Sequence, residues 1–242
     1  MKFLTPAIAA FILLMFSIPV NSQTVEPSSG VDPRTLQLEF ESLYLVEREQ
    51  SEQVSSWSIP SVLMRYGLSR SVEVQFNVPL LREAVYEQER MVSSRTFFDK
   101  VQAGVAVNLW REKGWLPEAA LMARALIPVY EFDTSEVGSV LSLNLSNRLT
   151  ESLSLNYNLG WIYEEEPSGY YITNLSWEIS DRMHSFVELF GSTNFPGPMT
   201  HCINAGIGFN FADSFCLDLS MASGLNCDMM FFGGIFTYQL NI

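Results

Sequence analysis

The residues of this chain best suited to chemistry are two histidines, His184 and His201, and three cysteines, Cys202, Cys216 and Cys227. Carboxylates and arginines are spread along the rest of the chain. The histidines and cysteines show no metal-ligand spacing. Neither histidine accompanies a Gly-x-Ser-x-Gly or His-x-Ser arrangement, and His184 beside Ser185 is adjacency without geometry. No hydrolase, metal or other cofactor is therefore expected. Cys202 and Cys227 stand where a disulfide could form in an oxidising compartment, and Cys216 reads as a small interior residue.

The charged residues follow a different rule. In "SVEVQFNVPL" (71–80), Val72, Val74, Phe76 and Val78 alternate with Glu73, Gln75 and Asn77. A period of two is a β-strand with one apolar and one polar face. The pattern recurs in about twelve segments of about ten residues, the length a tilted membrane strand needs. They lie at 35–46, 57–67, 71–79, 100–110, 117–127, 139–149, 152–163, 170–180, 183–192, 202–211, 214–222 and 230–242. Their polar faces carry Glu39, Glu41, Arg65, Glu73, Gln75, Asn77, Glu118, Arg124, Asn144, Arg148, Asn156, Asn174, Glu178, Glu188, Asn204 and Asp218. Two segments are noisy. Trp57, Ile59 and Leu63 fall on the polar side of 57–67, where Pro60 marks a bulge or strand end. Phe186 and Phe190 fall on the polar side of 183–192.

The connections take turns in length. "GLSRS", "LTES", "SDRM" and "FADS" are tight turns; "EREQSEQVSS", the segment 80–98, "VYEFDTSEVG", "EEEPSG", "GSTNFPGPMT" and "SGLNCD" are longer. Short turns on one rim and longer loops on the other are the pattern of an outer-membrane barrel. "REKGWL" is the longest connection on the short-turn rim.

Composition points the same way. Charged residues make up 17% of the 242, against about 25% in ordinary soluble chains. The net charge of −13 disfavours nucleic acid as a partner. Lys2 followed by the apolar run 3–20 and the small residues Val20-Asn21-Ser22 reads as a secretory signal cleaved after Ser22. Residues 23–34 form a short N-terminal segment, and 35–242 the barrel. No later run reaches the roughly 20 apolar residues of a membrane helix, which leaves a closed barrel as the way to span a bilayer. A secreted sandwich would have to bury twelve apolar faces in one core. The fold class expected is therefore all-β: a transmembrane up-and-down antiparallel β-barrel of about 12 strands. It would sit in the outer membrane of a Gram-negative-type bacterium, in contact with outer-membrane lipid. The end "MFFGGIFTYQLNI" resembles the C-terminal strand by which such proteins engage the barrel-assembly machinery, with Ile242 where Phe is usual.

The stretches "LMRYGLSRSVEVQFNVPLLRE", "LWREKGWLPEAALMARALIPV", "LSNRLTESLSLNYNLGW" and "ISDRMHSFVELFGS" resemble the MetA-pathway phenol-degradation family of outer-membrane transporters. Arg65-Tyr66-Gly67-Leu68, Glu112-Lys113-Gly114-Trp115 with Pro117, Tyr157-Asn158-Leu159-Gly160 and Val187-Glu188-Leu189 are the most specific pieces, and the resemblance spans residues 35–242. Members often carry an Asp-Arg-Pro and Thr-Glu-Ser segment before the first strand; this chain reads "VEPSSGVDPRT" there. The resemblance implies a twelve-stranded transport barrel with a link to aromatic catabolism.

A charge facing lipid at mid-membrane costs several kcal/mol, so the polar faces should look inward. There they form either a self-satisfied network filling the barrel or a polar, mildly acidic channel. The function expected is passive passage of small solutes, aromatic or other small organic compounds among them. A structural or surface-binding barrel, with the 80–98 loop as its recognition element, is the other class.

Overall fold

The structure is a computed structural model describing residues 25–49, 52–129, 137–195 and 197–242. The expected signal peptide and its cleavage site lie outside the described residues. Among those residues there are thirteen strands. They are β1 (Thr35–Glu49), β2 (Glu52–Gly67), β3 (Val72–Glu87), β4 (Arg90–Phe98), β5 (Val101–Trp110), β6 (Glu118–Ile127) and β7 (Gly138–Arg148). The rest are β8 (Leu153–Tyr163), β9 (Ser168–Ser180), β10 (Met183–Asn194), β11 (Cys202–Ala212), β12 (Phe215–Gly224) and β13 (Met229–Asn241). Each pairs antiparallel with its neighbours, and β1 with β13, Thr35 opposite Asn241, closes the sheet into a twelve-stave barrel.

Twelve staves come from thirteen strands because one stave is broken. The lower half of β3, Val72 to Asn77, pairs with β5, and its upper half, Leu80 to Glu87, pairs with β4. Asp99 and Lys100 interrupt the ladder between them.

The segment 80–98 is therefore not the long loop expected. It is the top of a β-hairpin that turns at Gln88 and Glu89, both at positive φ (47° and 65°), as a two-residue primed turn requires. The expected loop between the first two strands is likewise strand: β1 runs to Glu49 and β2 begins at Glu52. Strands β1 to β4 thus rise as a wall on one side of the long-loop rim.

The alternation sets the two faces. Outside stand Leu141, Leu159, Trp161, Val187, Phe211 and Phe232, the last 63% exposed. So broad an apolar belt has no place in water; it is a lipid-facing surface. Rings gather near both rims: Phe215 stacks on Tyr238 at 4.7 Å toward the short-turn end, and Trp161 on Phe195 at 5.0 Å toward the other.

The noisy strand β2 has a local cause. Its register against β3 shifts between Ser58 and Ser61, and against β1 between Glu41 and Tyr44. A bulge inserts an extra residue and reverses the parity beyond it. Ser55, Ser58, Ser61 and Arg65 are all buried, while Trp57 turns outward, 44% exposed.

Candidate functional site: a plugged lumen beneath an apolar cavity

The lower lumen is a polar network centred on β2 and β3. Arg65 donates to the Glu73 carboxylate from Nε at 3.0 Å and Nη2 at 2.8 Å, and lies 3.6 Å from Glu39. Gln75 donates to Glu73, and Arg124 Nε to Gln75 at 2.7 Å. Ser61 donates to Asn77, Ser58 to Glu41, and Asn108 to Glu118.

A second row crosses β7 to β11. Ser142 donates to Asn144 and Ser146 to Asn156, Asn156 to Asn174, and both Asn174 and Asn204 to the buried carboxylate of Glu188. Glu73, Asn144, Asn174, Glu188 and Asn204 are all but inaccessible, and Glu41, Arg65, Gln75, Asn77, Arg124 and Asp218 are buried. Burying so many polar groups is tolerable because they bond to one another.

Of the sixteen polar positions named from the sequence, Arg148 and Glu178 stand apart. Their side chains are exposed at the short-turn rim, where β7 and β9 end. Their parity is inward, but the staves stop before they are covered.

The N-terminal segment occupies the middle of this network. Glu26 and Asn158 exchange two bonds: Glu26 N–H donates to Oδ1 at 2.7 Å, and Asn158 Nδ2 donates to the Glu26 carbonyl at 2.9 Å. The Glu26 carboxylate lies 2.8 Å from Arg124 Nη2. Lower down, Val31 N–H donates to Glu73 Oε2 at 2.7 Å and Asn108 donates to the Ser28 carbonyl. The segment leaves the lumen past Gly67, where Arg34 N–H donates to the Gly67 carbonyl. A Cβ at Gly67 would lie 2.2 Å from the Asp32 carbonyl oxygen, so only glycine lets the segment pass. The sequence held one signal of this arrangement, a polar, proline-bearing stretch directly before the first strand, but it could not say that the stretch turns inward.

Above the segment the lining changes character. Leu43, Leu45, Ile172, Phe190, Met229 and Phe231 form one buried apolar cluster, and Met122, Leu126, Val140 and Ile162 another, with Tyr170 packed against both. Leu45, Ile172, Phe190, Met229, Met122, Val140, Ile162 and Tyr170 from these clusters line a cavity of about 610 Å³ whose floor includes Glu26 and Arg124 and whose mouth includes Glu165 and Glu166. The expectation of a polar interior is thus corrected for the upper half. The signal was present as errors in the alternation: Leu63, Phe190 and Ile235 fell on the polar side because that side faces this cavity. Another apolar exception, Phe186, lies lower and packs over Gly206.

At the mouth, Cys202 Sγ and Cys227 Sγ are 3.9 Å apart, and Tyr171 Oη lies 2.8 Å from His201 Nδ1. At the opposite end, His184 Nε2 lies 2.8 Å from Asp218 Oδ1 with Cys216 beside them.

A closed barrel with an apolar outer belt and a lined interior has the fold of outer-membrane channels and porins. The COG4313 outer membrane channel from Pseudomonas putida F1 superposes with a TM-score of 0.72 at 8% identity, covering 89% of this chain and all of that one. The NanC porin does so at 0.57 and 7% identity, covering 84% of this chain and all of the porin. The translocator domain of the autotransporter NalP from Neisseria meningitidis superposes at 0.54 and 9% identity, covering all of this chain and 95% of that domain. No protein-family model and no curated protein matches the sequence.

Proposed function

We propose that this chain is an outer-membrane channel for the passive passage of small organic solutes, monoaromatic compounds among them. The 610 Å³ apolar cavity would be its first binding site. That cavity is the observation that carries the reading. It is the size of ordinary small-molecule sites, and its surface is mainly apolar, with polar groups at the floor, at the mouth and along one wall at Glu41, Ser61, Asn77 and Gln102. A phenol-sized ring would bury its faces against Val140, Ile172 and Phe190 and reach Tyr170 or Glu26 with a hydroxyl. The resemblance to the MetA-pathway phenol-degradation family supports the same solute class.

The N-terminal segment closes the path below the cavity. Passage therefore requires the contacts of Glu26 and Val31 to give way, and the segment acts as the gate.

The test is a planar-bilayer recording with purified protein. A monoaromatic alcohol added on the long-loop side is expected to produce resolvable blockades of the ionic current. The cavity-filling variant Val140→Trp should lose the blockades and keep the conductance. Wild-type protein with neither conductance nor blockades would overturn the reading in favour of a structural or surface-binding barrel. No catalytic role is assigned to any residue.

A further inference from the structure

We propose that His184, Cys216 and Asp218 form a site for a zinc-class divalent cation at the periplasmic end of the lumen. Three strands build it. His184 on β10 is opposite Gly208 on β11, and Gly208 is opposite Asp218 on β12, so the three share one inward row. A side chain at the middle position would keep the outer two apart. A Cβ on Gly208 would lie 2.1 Å from His184 Cε1 and 2.3 Å from Asp218 Oδ1, and its absence lets imidazole and carboxylate meet across the strand between them. Cys216 lies two residues before Asp218 on β12, hence on the same face and one step nearer the periplasm. Its Sγ is 3.7 Å from Asp218 Oδ2, and one donor atom from each of the three residues lies within 4.8 Å of the other two.

The donor set and spacing suit zinc. A tetrahedral ion holds nitrogen at about 2.0–2.1 Å and thiolate sulfur at about 2.3 Å, which sets its ligands roughly 3.3–3.8 Å apart by simple geometry. The His184–Asp218 Oδ1 pair at 2.8 Å needs to open by only a fraction of an ångström, and the Cys216 sulfur, 3.7 Å from the other carboxylate oxygen, lies within 4.8 Å of the remaining donors and would close onto the same ion. One imidazole, one thiolate and one carboxylate is a borderline-soft set that selects zinc over calcium or magnesium. A water would complete the coordination, or the carboxylate of Glu178, which faces His184 from β9. The ion has a way in, since Cys216 lines a recess of about 400 Å³ at the rim, together with Asp181, Asn210, Asp213 and Gln239. Binding is a ligand exchange without electron transfer: the metal–sulfur bond forms, the thiol S–H bond breaks and its proton goes to solvent. The bound ion would tie β10 to β12 across β11. The site is separate from the solute cavity and stands or falls independently of the transport reading.

The experiment is a titration of the reduced full chain, folded in detergent, with Co²⁺ and then Zn²⁺. A single equivalent of Co²⁺ is expected to produce the near-ultraviolet thiolate-to-cobalt band, and Zn²⁺ to abolish it. Cys216→Ser should remove that band, and His184→Ala should weaken Zn²⁺ binding by about tenfold or more. The double variant Cys202→Ser/Cys227→Ser should bind as the wild type does. Alkylation of Cys216 in the wild-type protein, mapped by mass spectrometry, gives a readout independent of any substitution: saturating Zn²⁺ should slow it by about tenfold or more. Absence of the band, its survival in Cys216→Ser, its loss in the Cys202/Cys227 variant, or an alkylation rate indifferent to Zn²⁺ would each overturn the proposal.

Discussion

The gating role of the N-terminal segment can be tested at one carboxylate, that of Glu26. Seated, the segment makes one ion pair to Arg124, one bond each from Val25 N–H to the Glu188 carboxylate and from Val31 N–H to the Glu73 carboxylate, two bonds with Asn158, one with Asn108 and one with the Gly67 carbonyl. Bonds to charged groups contribute about 2 kcal/mol each and neutral ones about 1, so these together supply about 10 kcal/mol. Burial of Val31 and partial burial of Val25 supply about 3 more. Ordering the ten residues 25–34 costs about 10 kcal/mol at about 1 kcal/mol per residue. The seated state is favoured by only about 3 kcal/mol, which is what a displaceable gate needs. Glu26→Ala removes the ion pair, about 2 kcal/mol, and should shift the seated-to-unseated ratio about thirtyfold toward unseated. In single-channel recordings the wild type should show brief openings, and the variant should spend a far larger share of the time in the conducting state. Arg124→Ala should act in the same direction, and the double variant should add little to either single change, because both remove one interaction. Equal open probabilities in wild type and Glu26→Ala, with both proteins folded by heat-shifted gel mobility, would refute the reasoning.

Three further outcomes are expected. Leu159→Arg places a charge on the lipid face near mid-membrane, costs about 2–4 kcal/mol, and should sharply reduce the heat-modifiable folded species on gels; Trp115→Arg, in the exposed β5–β6 loop, should not. Glu73→Ala takes from the buried Arg65 guanidinium its nearest carboxylate and leaves Glu39 at 3.6 Å, so the urea unfolding midpoint should fall by the equivalent of about 3–5 kcal/mol. Mild disulfide-exchange oxidation should join Cys202 to Cys227 and speed migration of the unfolded chain on non-reducing gels; Cys202→Ser should abolish that shift and Cys216→Ser preserve it.

How far the sequence could be read depended on whether the information was local. Strands β7 and β8 alternate cleanly, and their register runs unbroken from Ser139 opposite Tyr163 to Arg148 opposite Ser154. There the period of two sufficed to assign both faces. In β2 the bulge between Ser58 and Ser61 defeated it, because an inserted residue exchanges inside and outside with no mark beyond Pro60. The hairpin tops of β1 to β4 read as loops in the sequence because, once above the bilayer, neither face needs to be apolar: "VEREQSEQVSS" has no alternation for lipid to impose. The apolar cavity was hidden for the opposite reason. Where the lumen is itself apolar, Phe190 and Ile235 spoil the pattern that would reveal which way they face. The segment 25–34 and the His184–Cys216–Asp218 cluster depend on contacts between residues far apart in the chain, and no single-strand pattern encodes them.

The change of lining halfway down the barrel makes it two solvents stacked in one tube. The upper half resembles an organic phase and the lower half a structured aqueous one, so a traversing molecule is extracted and then back-extracted. Two serial partition steps of opposite sign give a permeation rate that peaks at an intermediate octanol–water coefficient. A very apolar hydrocarbon would enter readily and stall above Glu26, and a charged metabolite would be refused at Phe190. On the proposed transport role, a compound with one ring and one hydroxyl would lose least at both boundaries. The selectivity of such a barrel would then be a property of its gradient rather than of any single residue.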